Sequence, residues 1–315
     1  GLNSKQLHPM RLLSAFLQNL LMLRIPQFSR KQYYLTSIFD RNKHIISTMI
    51  LDSTLDYLEN NHKNIIDNLR IEEVRFGTRM TAVKLSDNSY GVVSTLMDPH
   101  HQCIKKQRDF EDFTPLKISG QYVSDLFKTT KESNLINTLR IAVLNAISTT
   151  IISQGKYKII EDADPIDLID LNSRKTITIV GAFNSYIKKI APTDNQLHVL
   201  ELDECAIADD FRKHYVPAQD YKLVIPKSDI VIITGLTLVN NTIDDLLAAV
   251  LPNTQVILTG PSSNIIPDIL FQNKVNIIGT TRILNPDLLF QLVSEMGTVY
   301  HMFKYCAQKI SIVNE

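Results

Sequence analysis

Cysteines are few, neither sign of charge is in excess and the glycine fingerprint of a dinucleotide site is missing, and each shortage removes a class of protein. The three cysteines, Cys103, Cys205 and Cys306, lie far apart with no C-x-x-C pair. That pattern suits reduced thiols in the cytoplasm better than a disulfide framework. Thirty-three basic residues balance thirty-three acidic ones, and no stretch interleaves Lys or Arg with aromatics. The electrostatic footprint of a nucleic-acid partner is therefore absent. Met10 to Ile25 is strongly apolar, yet it is interrupted by Gln18 and Asn19 and is not followed by a small-residue cleavage site. It falls short of the roughly 20 residues that span a bilayer. The expectation is an amphipathic helix docked on the core, with a processed or membrane-surface segment as the alternative.

What is present is an ordinary globular composition, 44% hydrophobic and 21% charged over 315 residues. At that length one core stops growing and a chain divides, so two domains are expected. Apolar residues at helical spacing from His44 to Leu69 predict two helices broken near Asn60 and Asn61. Val74 to Lys84 and Tyr90 to Met97 are rich in β-branched residues and flank the turn-forming Ser86 to Ser89, which predicts a β-hairpin. Lys105 to Asp112 reads as a solvated loop. Ile141 to Ile152 is apolar nearly all round, the pattern of a buried helix. Within it Asn145 needs polar partners, supplied either by neighbouring backbone or by a site at a domain interface.

The acidic stretch Glu161 to Asp170 reads as an exposed connection. Beyond it, apolar runs of strand length recur at Thr176–Val180, Leu197–Leu200, Asp229–Ile233, Gln255–Leu258 and Val275–Ile278, most of them separated by helical pattern. This alternation predicts βαβ units and a parallel sheet. Caps agree with it: Asn241 or Thr242 precedes Asp244 and Asp245, and Asn285 precedes Pro286. Small and hydroxyl residues collect where the runs end: Gly181 to Phe183, Glu201, Thr234 and Gly235, and Gly260, Pro261, Ser262 and Ser263. In open α/β sheets that edge takes ligands, because glycine admits close backbone approach and helix N-termini offer free N–H groups.

Gly181 and an acid, Glu201, further on imitate the dinucleotide plan, but Phe183 and Tyr186 stand where the second and third glycines belong. NAD is therefore not expected. A ligand without a pyrophosphate remains open, including S-adenosylmethionine with its ribose on Glu201. For metals, His100, His101 and Cys103 lack a second cluster at zinc spacing. Glu201, Asp203, Glu204 and Cys205 are better placed, at a strand end, although a solvated charge run is the more common explanation of such a group. Ser262 and Ser263 lack a nucleophile elbow. With Thr234, Asn240 and Thr242 they suit hydrogen bonding to carboxylates or to a metal-complexed organic ligand.

The segments VGAF at 180–183, TGLTLVNNTIDDLL at 234–247, GPSSNIIPDILF at 260–271 and VNIIGTTRILNPD at 275–287 resemble the heavy-metal-chelation family known as domain of unknown function 364. LNA at 144–146, GVVST at 91–95 and FGTRMTAV at 76–83 resemble its smaller companion domain. The resemblance implies an enolase-N-terminal-like α+β domain over 45–173, a Rossmann-like domain over 174–315 and a site in the cleft between them. Residues 1–44 remain outside it as a helical extension. One departure stands out: Asn241 occupies a position where the family tends to have glycine. Two functions stay open. One is a binding protein for a divalent or ferric metal chelate or a metal-binding metabolite, its ligand held by Asn145, Gly181, Phe183, Glu201, Thr234, Gly235, Asn240, Thr242, Gly260, Pro261 and Ser262. The other is an enzyme, such as an S-adenosylmethionine-dependent transferase. The expected partner is a small molecule; no membrane partner is expected, and a homo-oligomer stays open.

Overall fold

A computed structural model gives the protein's structure and describes residues 50–97 and 109–314. The expected N-terminal extension and the His100, His101 and Cys103 group lie outside the described residues, as does most of the expected loop from Lys105. Helix α1 (Ile50–Ile66) is kinked at His62 (φ −136°), beside the break expected near Asn60 and Asn61, and buries Ile50, Thr54, Leu58 and Ile66.

The small sheet is antiparallel in the order β1 (Ile71–Phe76), β2 (Met80–Leu85), β3 (Tyr90–Ser94). The single strand expected over 74–84 is split in two, because the Gly77 N–H turns back onto Met80 O at 2.9 Å. The predicted β2–β3 hairpin is present, with Asn88 in the left-handed region (φ 62°) and Ser89 N donating to Asp87 Oδ1 at 3.0 Å. Helix α2 (Val123–Lys128) leads to α3 (Asn134–Ile152), which Ser133 caps by accepting from Ile136 N. Helix α3 is long and apolar enough to cross a membrane, but it is buried among protein atoms, packed on β2 and β3. Val83 and Leu85 of the small sheet face α3, while Met80, Ala82 and Val92 pack with Leu289, Phe290 and Val293.

The large sheet holds β4 (Lys158–Glu161), β5 (Thr176–Val180), β6 (Gln196–Glu201), β7 (Tyr215–Pro217), β8 (Ile230–Thr234), β9 (Gln255–Thr259), β10 (Val275–Ile283) and β11 (Ala307–Val313). Their order is β4-β11-β10-β9-β8-β5-β6-β7. From β10 to β7 every pairing is parallel, whereas β11 runs antiparallel to both β10 and β4. The connecting helices are α4 (Asn184–Ile190), α5 (Tyr221–Val224), α6 (Leu236–Val239), α7 (Ile243–Ala249), α8 (Pro267–Gln272), α9 (Pro286–Ser294) and α10 (Val299–Tyr305). Alternate residues of the central strands feed two cores: Ile177, Ile179, Ile230 and Ile232 one, Val231, Ile233, Val256 and Leu258 the other. Burial on both faces explains why these strands read as near-continuous apolar runs.

The stretch expected to be an exposed connection is partly buried. Its first residue, Glu161, ends β4, which pairs with β11, and its Pro165 and Ile166 are buried. The acids that made it look like a linker have cationic partners: Glu161 meets Arg282, Asp164 meets Lys309 and Asp167 meets Lys189, each at 2.6 Å.

Asp244, in the first turn of α7, accepts from Ile50 N at 2.8 Å and ties the start of α1 to the large sheet's helical layer. Burial raises its carboxyl above the ordinary 3.8, with the neighbouring charges of Asp245 and Asp52 adding to the rise. A raised carboxyl favours folding fully below pH 3.8, and that advantage is lost as pH climbs through the folded-state value. Asp244→Asn keeps an acceptor for Ile50 N without the charge. It is expected to melt higher than the parent at pH 7 and together with it below pH 3.8, as a pair of thermal melts would show.

Candidate functional site

Strand order reverses between β5 and β8, since β6 and β7 lie to one side of β5 and β9 and β10 to the other. The crevice at such a switch point, outside the carboxyl ends of the strands, is where open α/β sheets take ligands. The three glycine turns meet there. Gly181 and Gly260 have φ of 102° and 120°, conformations that L side chains rarely adopt. A Cβ on Gly181 would lie 3.2 Å from Thr234 Cγ2, and one on Gly235 2.7 Å from Ser263 N. Gly235 N donates to Thr259 O at 2.8 Å and Gly260 N to Gly279 O at 3.1 Å, so each turn hangs on the next strand. Asn241 sits at φ 58°, a left-handed conformation that asparagine takes more readily than most residues.

Two cavities open at this edge, with Thr234 between them. The first, of about 430 Å³, is lined by Gly181, Glu201, Thr234, Asn240, Thr242 and Asp245 among mostly apolar neighbours. Here Thr242 stands at the cap position of α7 without capping it, because its hydroxyl donates to Asn240 Oδ1 at 2.6 Å. Glu201 Oε1 accepts from Leu202 N at 2.7 Å. Asp203 accepts from Cys205 N at 2.9 Å as a turn cap. Among the described residues no three His, Cys, Asp or Glu side chains come together as a metal-holding group.

The second cavity, of about 800 Å³, lies toward β9 and β10, with Ser94 of β3 beside Gly260 and Pro261 on its wall. Phe183 and Tyr186 stack at 5.4 Å between ring centroids and 23° between planes, and both line it. Tyr186 is buried and donates to Asp164 Oδ1. Burial and that hydrogen bond push its hydroxyl well above the ordinary tyrosine value. The other Asp164 oxygen holds Lys309 Nζ at 2.6 Å. Thr280 on β10 is 4% exposed, and its hydroxyl has no hydrogen-bond partner among the described residues.

Asn145 and Ser262 line neither cavity. Asn145 Nδ2 donates to Val92 O and to Pro261 O, both at 2.9 Å, which places the amide against the Gly260 turn as a buried polar group in an apolar helix requires. Ser262 Oγ accepts from Ser94 N at 2.9 Å, and Ser263 Oγ donates to Gly260 O and Gly279 O, both at 2.6 Å. Of these two hydroxyls, expected to face a ligand, that of Ser262 ties the 260–264 turn to β3 and that of Ser263 ties it to β10. Asp164, Thr280 and Lys309 were not foreseen as site residues. Asp164 lay in the supposed linker, and the other two belong to β10 beyond its predicted end and to the unforeseen β11.

Residues 164–312 match the profile of the DUF364 family and residues 59–148 that of the DUF4213 family, both described as "Putative heavy-metal chelation". The chain belongs to this family, and the DUF364 match covers the large sheet from β5 to β11. A DUF364 protein of unknown function from Pyrococcus horikoshii is similar at 18% identity over 84% of this chain and 98% of that one, with a TM-score of 0.65. A second, from Desulfitobacterium hafniense DCB-2, is 17% identical over 82% and 99% of the two chains, with a TM-score of 0.60. At these identities the likeness is one of fold. No curated protein matches the chain.

Proposed function

We propose that the protein binds a small organic metal chelate in the larger cavity, where the small sheet meets the carboxyl edge of the large one. The observation that carries this is the Thr280 hydroxyl, buried in the cavity wall without a partner. A buried polar group left unpaired costs on the order of 1–3 kcal/mol, which a bound acceptor or donor would recover. The charge of the wall then selects the ligand. The one carboxylate among its described lining residues, Asp164, is occupied by Tyr186 and Lys309, while Lys304 and Lys309 contribute two cations. Such a wall suits an anionic complex whose metal is already held by its own carboxylates.

Titration of the full chain with ferric ion, zinc, citrate and amino-acid chelators, each alone and as metal–chelator complexes, tests this by thermal shift. A complex at 100 times its dissociation constant adds about 2.7 kcal/mol. At roughly 2–4 °C per kcal/mol the melting temperature rises by about 5–11 °C. Free metals are expected to leave it unchanged. Shifts given by bare metal ions and by no complex would sink the proposal.

A second reading rests on Glu201, which ends β6 and lines the smaller cavity at the place where doubly wound sheets hold a ribose hydroxyl. It supports an adenosyl ligand such as S-adenosylmethionine there. The stabilisation expected from S-adenosylhomocysteine should vanish in Glu201→Gln, and its persistence in that variant would remove this reading.

A further inference from the structure

The composition of the larger cavity says more than its charge. Phe183, Tyr186, Tyr300 and Phe303 all line it, in a chain that is only 7% aromatic and has no tryptophan. Phe183 and Tyr186 stack on one another, so the pair is held in one orientation in the cavity lining. Tyr300 and Phe303 come from α10, a separate element. Flat apolar faces of this kind favour another flat ring, by offset stacking or edge-to-face contact, over a puckered chain of equal size.

The charged groups of the lining are Asp164, Lys304 and Lys309, and they lie close to its rings. Lys309 Nζ lies 5.4 Å from the centroid of Phe303 and is neutralised by Asp164. Lys304 has no carboxylate partner among the described residues; its Nζ lies 5.1 Å from the centroid of Tyr305. One uncompensated amine therefore stands at the rim, and the unpaired Thr280 hydroxyl is set into the wall. A pocket that combines aromatic faces with a few charged groups specifies orientation as well as class of ligand.

We infer that the chelator bound here is a flat aromatic carboxylate, its ring between the Phe183–Tyr186 pair and α10, its carboxylate drawn to Lys304 and an acceptor atom meeting the Thr280 hydroxyl. This inference rests on the chelate reading of the same cavity and narrows it from anionic complexes in general to those with a planar ring.

The test compares three probes on the full chain by isothermal titration calorimetry, each with and without one equivalent of zinc: pyridine-2-carboxylate, its saturated analogue piperidine-2-carboxylate, and the uncharged pyridine-2-carboxamide. The aromatic acid is expected to bind at least about tenfold more tightly than either control, the factor that about 1.4 kcal/mol gives. Lys304→Gln and Thr280→Val should each weaken it about tenfold. Neither substitution removes an interaction that holds the fold, and Thr280→Val should melt no lower than the parent because its hydroxyl has no protein partner to lose. Equal binding of the saturated acid or of the amide would overturn the aromatic-acid inference. Binding of ferric citrate without binding of the aromatic acid would overturn it too while leaving the chelate reading in place. Failure of every complex would take both down.

Discussion

Gly91→Ala is expected to lower the melting temperature by roughly 6–12 °C, the equivalent of about 3 kcal/mol. Gly91 lies in β3 where the strand crosses α3. A Cβ built there would stand 2.0 Å from Ala142 O and 2.7 Å from Ala146 N, both backbone atoms of the helix. No rotamer change can relieve a clash with backbone, so β3 must move off α3 as a whole. Two contacts move with it: Asn145 to Val92 O, one residue away, and Ser94 N to Ser262 Oγ. Gly155→Ala is the control. Gly155 has φ 83° but nothing within 4 Å of an added Cβ, so only backbone strain of about 1 kcal/mol is expected. Differential scanning calorimetry separates the two. If Gly91→Ala melts no lower than Gly155→Ala, β3 and α3 are not in close backbone contact.

The legible parts of the fold were those fixed by local chemistry. Central strands such as Ile230–Thr234 are apolar on both faces and end in glycine turns, so run length and punctuation located them. The Asn285 cap was equally plain, and its side chain accepts from Leu288 N at 3.1 Å. Strands β4 and β11 escaped because neither is apolar throughout: Lys158 and Glu161 end one, and Gln308, Lys309 and Ser311 interrupt the other. Such strands exist through their pairing, which no local pattern announces.

The same distinction runs through the site. Gly181, Gly235 and Gly260 were found because close approach or positive φ demands glycine there. Phe183 and Tyr186 were noticed as obstacles to a pyrophosphate, and they turn out to form a cavity wall. Asp164, Thr280 and Lys309 could not be found this way. Asp164 and Lys309 meet across 145 residues of sequence through the β4–β11–β10 pairing. The hydroxyls of Ser262 and Ser263 looked available in the sequence because nothing in it shows that Ser94 N and the carbonyls of Gly260 and Gly279 would engage them.

Asn145 is where stability and the proposed site are coupled, and its substitution should affect both. The side chain is 1% exposed, and both amide hydrogens are committed, one to Val92 O and one to Pro261 O. Asn145→Ala leaves two buried carbonyls without donors, at about 1–3 kcal/mol each, so a loss of roughly 2–4 kcal/mol is expected after partial relaxation. The other bonds at this position survive, because Thr149 Oγ1 and Asn264 Nδ2 donate to the backbone oxygen of Asn145. Pro261 is then free to shift, and it lines the larger cavity, so chelate binding should weaken beyond what the residual folded fraction explains. Asn145→Asp discriminates a hydrogen-bonding role from simple space filling. The carboxylate has nearly the amide's shape but, when ionised, only acceptors to offer two carbonyl acceptors. Asn145→Asp should therefore be at least as unstable as the alanine variant at pH 7 and recover part of the loss on acidification, when its protonated form can donate one bond. Denaturant melts of both variants at pH 7 and pH 5 decide the matter. An aspartate variant as stable as the parent at pH 7 would mean that the amide donors do not hold β3 and the Gly260 turn together.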